Sequence, residues 1–444
     1  MPGRFARLPE LAGPRFLPLG LFARLPLAML TVGTLTLITA VSDSYAIGGL
    51  AAGAVGIGSA LGAPVLGSLA DRAGQRPVLL IAAAVNTITV IALVIAAYLT
   101  PSFAMPMDPF AILMAAFLAG ASCPQVGPMA RVRWMALTTR NLSEGRAGSG
   151  ASASVAANRA DLDTALSYEG TADEITFVLG PALVGILASL VAPWLPLAFA
   201  VVLTATLVPA FAVHPSHLAV VLSKRKARAA VGNAAAAEGK AGTASRKTVV
   251  SMTDWLKLAV PVLAMVCMGT FFGATQNALS AFSARFATSE IAGLMYSVVG
   301  LSSAVAALSV AYWPQRFGLG LRWILAAGMM AAASLLLFLP DGIWPMVLVL
   351  FVLGIPVGPV MVTIFSIGGM VAPASRMATV MTGLASGIVA GTALGAFVAG
   401  QLAQSSGPAA AFLVSVAASG ALLVLGAVAG LALREKPGRQ RRMD

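Results

Sequence analysis

The residues of this chain that could do chemistry are a few charged and polar side chains inside or beside long apolar runs. Ionisable groups in apolar surroundings are costly, so each is a candidate for substrate binding or proton transfer. The ionisable candidates are Arg24, Asp43 and Glu174. The neutral candidates, which could line a cavity between helices, are Asn86, Gln125, Gln276 and Asn277.

Each candidate also has a purely structural interpretation. Arg24 could bind an anion, pair with an acid, or extend from the start of the first run toward water. Asp43 could cap the helix that follows it. Glu174 completes the pattern T-x-x-E, typical of a capping box at a helix start; otherwise it could carry a proton or pair with Arg131 or Arg133. The neutral residues could simply join helices through hydrogen bonds.

Composition predicts what positions these residues. The chain has 444 residues, 59% hydrophobic and 10% charged, whereas soluble domains carry about 25% charged residues. Twelve apolar runs have the length of a membrane-spanning helix. They lie near 18–42, 46–70, 77–99, 108–130, 172–192, 195–213, 255–283, 288–313, 321–340, 344–370, 377–402 and 407–433.

The runs divide into six, a long polar break, and six more. We therefore predict an all-α membrane protein whose twelve transmembrane helices form two six-helix bundles related by pseudo-symmetry. The predicted parts are a first bundle at 1–213, a cytoplasmic linker at 214–254, a second bundle at 255–433, and a basic cytoplasmic tail at 434–444. Within the first bundle, residues 131–170 are interpreted as a cytoplasmic loop, structureless around 141–160.

The basic residues predict the orientation. With the amino terminus inside, all of the 28 Lys and Arg residues lie on the cytoplasmic side except Arg24 and Arg285. This asymmetry places both termini in the cytoplasm, with the chain in a bacterial cytoplasmic membrane. The net charge of +12 is therefore interpreted as favouring anionic lipid, not nucleic acid. We expect a monomer.

Nothing in the sequence has the pattern of an enzyme or a metal site. No nucleophile–base pair, phosphate-binding loop or ligand cluster is evident, so we expect no cofactor and no metal. Cys123 and Cys267 both fall in apolar runs. His214 and His217 are spaced like ligands, but Pro215 intervenes at a span end, which favours interfacial residues.

Two pairs of segments indicate an internal repeat. GASCPQVGPMARV in the fourth run is echoed by LGIPVGPVMVT in the tenth, and GSLADRAGQRP at 67–77 has a fainter relative in YWPQRFGLGLR. Such echoes suggest two parallel six-helix repeats. In GSLADRAGQRP, glycine permits close packing and a tight reversal, and the arginines hold the turn in the cytoplasm.

This turn resembles the G-x-L-A-D-r-x-G-r-k signature between helices two and three of the major facilitator superfamily. The resemblance, which extends to the six-plus-six arrangement, implies a conformational latch. In it, Asp71 would meet the start of helix eleven near 377–379, with arginine from helix four as its partner. Gln75 replaces a common basic residue, which implies one weaker contact. The implied latch residues are Gly67, Asp71, Arg72, Gly74, Arg76, Arg131 and Arg133.

A second stretch, FVLGPALVG, is similar to the G-P-x-x-G-G element in helix five of exporters of this superfamily. It contains Gly180, Pro181 and Gly185, with the last glycine one residue further on than in that element. The resemblance to this element implies antiport. ARLPLAM in the first span and MARVRW after the fourth resemble actinobacterial members, so the chain as a whole resembles actinobacterial-type drug-efflux-like members. However, the fourth span lacks the arginine that many proton-coupled drug exporters carry there.

Together these features predict a secondary active transporter that works by alternating access. We expect proton-coupled export of a small apolar or amphipathic organic compound. Uptake or facilitated movement of a sugar or other neutral metabolite is the first alternative. A more distant alternative is a membrane sensor or scaffold that transports nothing.

Overall fold

The computed structural model describes residues 4–100, 109–144, 151–220, 252–286, 291–314, 317–373 and 375–434. Every regular element in these ranges is helical. Twelve helices are long and apolar enough to cross a membrane, the first near the amino terminus at Phe16–Ser42 and the last at Pro408–Gly430. These helices agree with the predicted fold of six spans followed by six more.

The first half contains nine helices, because two of its spans are interrupted and a short helix precedes them. They are α1 (Arg7–Ala12), α2 (Phe16–Phe22), α3 (Leu25–Ser42), α4 (Tyr45–Ala73), α5 (Gln75–Leu99), α6 (Phe110–Ala121), α7 (Val126–Glu144), α8 (Ala151–Leu190) and α9 (Leu195–Val213). The first span combines α2 and α3, and the fourth combines α6 and α7.

The second half contains one helix for each span. They are α10 (Met252–Ser283), α11 (Ile291–Ser309), α12 (Leu319–Leu335), α13 (Ile343–Val371), α14 (Met377–Ser406) and α15 (Pro408–Arg434). Short 3₁₀ turns follow α11 at Val310–Tyr312 and α12 at Leu336–Phe338.

Glycine determines how closely several helices pack. On α10, a side chain at Gly269 or Gly273 would collide with the backbone of α14, and one at Gly391 or Gly395 would collide with that of α10. Lipid supplies no hydrophobic force between helices, so such backbone contact is a main source of their association. The halves meet where α4 and α7 pack on α14, and where α8 packs on α11 and α13.

The predicted loop at 131–170 is wrong, because most of it is helix. α7 continues to Glu144 and α8 begins at Ala151, with the residues between them outside the description. At 40 residues, α8 is about 60 Å long, twice the thickness of the hydrocarbon core. Its buried positions recur every three or four residues, at Asn158, Asp161, Ala165, Glu169 and Ala172. The hydropathy of the sequence did not predict this helical face, because much of the face is polar.

The fourth apolar run is also not one continuous helix. α6 ends at Ala121 and α7 begins at Val126, and the intervening Ser122–Gln125 segment contains Pro124, which has no N–H to donate. Its echo in the second half, α13, continues through Pro356 and Pro359 without a break. The repeat therefore differs between the halves at this point.

Most of the predicted linker and tail cannot be compared with the structure. Residues 221–251 and 435–444 lie outside the described ranges. Of the linker at 214–254, the structure describes a 3₁₀ turn at Pro215–Ala219 and the start of α10 at Met252.

Candidate functional site

Asp71, at the end of α4, caps the start of α14 in the other half. One carboxylate oxygen accepts a hydrogen bond from the Ala378 N–H at 3.0 Å, and the other accepts from the Thr379 N–H at 2.8 Å. The Thr379 hydroxyl donates a third bond at 2.7 Å. A carboxylate is well placed there because the first N–H groups of a helix lack partners and carry partial positive charge.

The glycines of this turn have separate tasks. A side chain at Gly67 would meet the Ala378 carbonyl and the Thr382 hydroxyl, so glycine is what lets α4 touch α14. Gly74 has φ +97°, a conformation that side chains rarely adopt, and it reverses the chain. Arg72 and Arg76 are exposed beside it.

Neither arginine of α7 contacts Asp71, which corrects the predicted pairing. The Arg131 guanidinium pairs with Asp173 at 2.6 Å. Arg133 donates to the Gln75 side-chain oxygen at 2.8 Å and to the Phe211 carbonyl at 2.8 Å. Donors from α14 occupy both Asp71 oxygens, and Asp71 has no ion pair with any residue in the described ranges.

The Gln75 side chain makes its hydrogen bonds within the first half. Its amide oxygen accepts from Arg133, while its amide nitrogen donates to the Met129 carbonyl at 3.3 Å. Arg133 is fully buried, and a basic residue at position 75 would repel it. A neutral amide at position 75 is therefore compatible with Arg133, which supplies the positive charge at this place.

Four charged residues form a charge cluster in the first half; Arg24, Arg131 and Glu169 are buried and Asp173 is partly buried. Arg24 pairs with Glu169 at 2.6 Å and with Asp173 at 2.7 Å. The indole N–H of Trp134 donates to the second oxygen of Glu169 at 2.9 Å. Two cations face two carboxylates, so the cluster is neutral as a whole and each charge has a partner.

The sequence did not predict either acid of this cluster, because Glu169 fell in the predicted loop at 131–170 and Asp173 in the first turn of the predicted capping box. Their spacing carried a usable signal. Glu169 and Asp173 are four residues apart, which on a helix puts both carboxylates on one face. Arg24 therefore pairs with acids, one of the three interpretations open from the sequence.

Glu174 does not belong to a capping box. α8 runs unbroken from Ala151 to Leu190, so residues 171–174 lie inside a helix. The Thr171 hydroxyl donates to the Ser167 carbonyl at 3.1 Å and to the Ala304 carbonyl of α11 at 2.9 Å. The Glu174 carboxyl, buried with its residue 7% exposed, accepts from the Ser303 hydroxyl of α11 at 2.8 Å.

Glu174 lacks the arginine partners that its neighbour Asp173 has. Among the described residues it has no ion-pair partner, neither Arg131 nor Arg133. A Cβ added at Gly300 would lie 3.8 Å from its carboxyl oxygen, so a second residue of α11 faces it closely. Glu174 is thus an acid held between the two halves by a neutral hydroxyl.

Of the four neutral candidates, Asn86 and Asn277 join neighbouring helices, and Gln125 bonds its own turn. The side-chain amide nitrogens donate from Asn86 to the Ala119 carbonyl at 2.7 Å, from Gln125 to the Cys123 carbonyl at 3.0 Å, and from Asn277 to the Ala396 carbonyl at 2.9 Å. Gln276 is exposed.

Asp43 does not cap the following helix. It is exposed with φ +49°, and the Ser44 hydroxyl instead accepts from the Ile47 N–H at 3.4 Å. The serine follows the left-handed residue and so stands directly before the first turn of α4.

The export-like element of α8 is only partly matched. A side chain at Gly180 would collide with Ala28, so this glycine sets the contact between α8 and α3. Pro181 lies inside α8, which continues past it. Gly185 faces open space, so it takes no part in that contact.

His214 packs at the end of α9, next to Arg133. Its ring lies 5.5 Å from that of Phe16, and its Nδ1 is 3.0 Å from the Ser216 hydroxyl. Burial, Arg133 and His217 lower the pKa of His214, which favours the neutral ring. In the described part of the chain, no group of three or more His, Cys, Asp or Glu residues could hold a metal ion.

The fold and these sites can be compared with known proteins. The sequence matches the family model described as Major Facilitator Superfamily over residues 16–384 and 262–443. No protein of curated function matches it significantly. Many solved structures share its fold.

Three of them illustrate the likeness. The human organic anion transporter MFSD10 (TETRAN) aligns with a TM-score of 0.65 and 19% identity, covering 96% of this chain and 100% of its own. A bacterial homologue of the iron transporter ferroportin, in an outward-facing state, aligns with a TM-score of 0.64 and 13% identity, covering 94% and 98%. The transporter FucP, in the outward conformation, aligns with a TM-score of 0.59 and 13% identity, covering 93% and 98%.

At these identities the solved structures show the shared fold, while the family model matches nearly the whole sequence. The chain therefore belongs to the Major Facilitator Superfamily and is a secondary transporter, not an enzyme.

Proposed function

We propose that the protein is a proton-coupled exporter of a small apolar or amphipathic organic compound, working by alternating access. Glu174 is the proposed proton carrier. The observation that carries the proposal is its hydrogen bond to Ser303 at 2.8 Å, which joins the two halves inside the membrane. Export against a gradient needs a driving ion, and a carboxyl group that changes its surroundings during the cycle can supply one.

The acids of the first half divide into paired and unpaired groups. Glu169 and Asp173 are neutralised by Arg24 and Arg131 within their own half, so a rigid movement of the halves leaves their pairing intact. Glu174 depends instead on a group from the other half. Separation of α8 from α11 would remove Ser303 and admit water, which stabilises the ionised carboxylate.

The distribution of basic residues supports a cytoplasmic position for the α4–α5 turn. With that orientation, the halves are joined on their cytoplasmic side by Asp71 and α14. They are joined deeper by Thr171 and Ala304, and by the Arg131 guanidinium lying 3.8 Å from the centre of the Phe365 ring. This pattern supports an outward-facing conformation, closed toward the cytoplasm.

The charges support an apolar or amphipathic substrate over an anionic one. Arg24 and Arg131 are occupied by carboxylates, and Arg133 by neutral acceptors of its own half. Within the six spans of the second half, the described residues include a single ionisable Lys, Arg, Asp or Glu, Arg322, which pairs with Asp163 at 3.5 Å. An organic anion, the substrate class named for MFSD10, would find no unoccupied cation there.

The direction of transport rests on the element around Gly180 and Pro181. Gly180 brings α8 against α3, which is the kind of close helix contact that small residues permit. The element resembles that of antiporting exporters, so we assign export and counterflow of protons. Drug-efflux-like members are the nearest functional class on this basis.

Accumulation of a fluorescent amphipathic cation tests this proposal in cells that express the protein. Expressing cells should accumulate less dye than control cells, and an uncoupler should abolish the difference. Glu174→Gln should lose the uncoupler-sensitive extrusion while retaining downhill dye exchange. Asp341→Asn, at an exposed acid between α12 and α13, is the matched control and should behave like the parent.

Other outcomes would assign other functions. Uncoupler-sensitive uptake would indicate an importer, and the absence of any dye or metabolite movement would favour a sensor or scaffold. Full extrusion by Glu174→Gln would place the coupling site elsewhere.

A further inference from the structure

The two turns related by the internal repeat do not carry the same groups. When Gly74 of the first turn is aligned with Gly318 of the second, Asp71 corresponds to Gln315, which lies outside the described residues. The second turn therefore has no carboxylate to cap α8 as Asp71 caps α14. At the predicted cytoplasmic edge of the contact between α8 and the second half, Asp163 of α8 pairs with Arg322 of α12 at 3.5 Å, and the α11 part of that edge is covered by a different segment.

The amino-terminal segment 4–12, called here the N-terminal strap, lies at that edge. Arg4 donates a hydrogen bond to the Ala311 carbonyl, and its guanidinium stands 5.7 Å from the centre of the Tyr312 ring. The Phe5 ring lies 6.0 Å from the same tyrosine ring. Ala311 and Tyr312 form the 3₁₀ turn that follows α11, where carbonyls lack helical partners and a cation is favoured.

The remainder of the strap is held by the first half. Arg7 pairs with Asp161 of α8 at 3.3 Å, and Leu8 is buried with 1% of its surface exposed. Further along the chain, the Tyr168 hydroxyl of α8 donates to the Leu17 carbonyl at 2.7 Å. The strap is thus anchored on α8 while its first two described residues reach the other half.

We propose that the N-terminal strap is a second interdomain latch, which closes the α8–α11 side of the cytoplasmic seal as Asp71 closes the α4–α14 side. Arg7 and Leu8 are its fixed end, and Arg4 and Phe5 are its releasable end. Opening toward the cytoplasm breaks the contacts with Ala311 and Tyr312 and leaves those with α8 in place. The inference rests on the alternating access of the proposed function, but not on its substrate or its coupling ion.

Labelling of a buried cysteine tests this latch without any substrate. The reporter is Ala304→Cys on α11, in a background where Cys123→Ala and Cys267→Ala remove the native thiols; Ala304 is buried, 4% exposed. Purified protein is treated with a maleimide and the labelling rate is measured. Combined Arg4→Ala and Phe5→Ala should raise the rate about tenfold, the effect of losing one charge-assisted hydrogen bond and one cation–π contact.

Arg15→Ala is the matched control, because Arg15 is an exposed arginine of the same terminal region. It should label at the parent rate. A double variant that also labels at the parent rate would overturn the proposal, since the seal would then close without the strap.

A cross-link keeps the test decisive if the double variant folds poorly. In the same thiol-free background, Phe5→Cys and Tyr312→Cys should form a disulfide on mild oxidation, counted by the loss of two maleimide-reactive thiols. Failure of this pair to oxidise in folded protein would show that the strap does not reach the second half. Because neither assay involves Glu174 or transport, a failed coupling mechanism leaves both results interpretable.

Discussion

At the scale of single residues, the molecule distinguishes charges that hold its structure from charges that can change. Asp71 is fixed by three donors of α14, and the charge cluster satisfies its members within one half. Glu174, by contrast, is buried and, among the described residues, accepts one hydrogen bond from the other half, from the Ser303 hydroxyl. The charge cluster is paired inside one half and keeps its partners when the halves move, whereas Asp71 and Glu174 both meet groups of the other half, Asp71 through three hydrogen bonds and Glu174 through one.

Asp71→Asn should greatly reduce transport while membrane abundance stays near that of the parent. An amide offers one acceptor oxygen in place of two and removes the charge that favours the helix start, a loss of about 0.3–1 kcal/mol in stability. That energy is small against folding but acts directly on the closed state. Dye extrusion per unit of protein on immunoblots measures the effect.

Asp43→Asn is the control for this variant, since Asp43 is an exposed acid at the opposite end of α4. Extrusion by Asp71→Asn at the parent level would reduce the signature to a turn that sets topology.

At the scale of elements, α8 carries most of the candidate site. Its long amino-terminal part supplies Asp161 and Asp163, its middle supplies Glu169, Asp173 and Glu174, and Gly180 packs it on α3. α8 packs on α11 and α13 of the other half, so its polar face lies where the two halves separate. A helix in this position can link a titrating group to the movement of the halves.

Two of the three glycines of α8, Gly180 and Gly185, provide a matched pair of substitutions. Gly180→Ala should destabilise the protein by about 1–3 kcal/mol, because its methyl group would collide with Ala28. Gly185→Ala should change stability by no more than about 0.5 kcal/mol, because that position faces open space. Thermal unfolding in detergent measures both. Equal stability of the two variants would contradict the proposed packing role of Gly180.

The sequence predicted the spans well and the polar parts of helices poorly. Uniform hydrophobicity marks a bilayer helix, and α9, α13 and α14 begin within one residue of the predicted positions. The first half of α8 was not predicted as helix, because the face that packs on its neighbours carries Asp161, Glu169 and Asp173. Their arginine partners come from distant parts of the chain. A hydropathy profile scores each acid as polar and does not show that an arginine elsewhere in the chain neutralises it.

The same limit applied to the candidate site. The resemblance of the turn at 67–77 to the family signature predicted that Asp71 would lie at the start of α14. Asp71 accepts three hydrogen bonds there. The partners of Arg131 and Arg133 could not be deduced, because each depends on which helix faces α7. Asp173 and Gln75 occupy those places.

At the scale of the whole molecule, the two halves share a fold but differ in their buried charged residues. Positions 131 and 133 hold buried arginines in the first half, whereas the echoing segment of α13 has Val362 and Ile364. The break between α6 and α7 is likewise absent from α13. Ion coupling therefore belongs to the first half in our account, and the second half supplies the largely uncharged wall against which it works.

The orientation of the molecule can be tested directly. A cysteine introduced in the segment 214–254 should resist impermeant thiol reagents in intact cells, and one at Ser102, on the predicted opposite side, should react. The distribution of basic residues predicts that the segment 214–254 is cytoplasmic and that Ser102 is on the opposite side of the membrane. The reverse pattern would invert the orientation and, with it, the outward-facing assignment.

The central claim is that Glu174 takes up and releases a proton, and infrared difference spectroscopy tests it most directly. Purified protein is titrated with acid and base, and the carboxyl C=O band that appears on protonation is recorded for the parent, Glu174→Gln and Asp341→Asn. We expect a band from a buried carboxyl group in the parent and in Asp341→Asn that is missing from Glu174→Gln. The same band at full strength in Glu174→Gln would contradict it, because the titrating group would then be another acid.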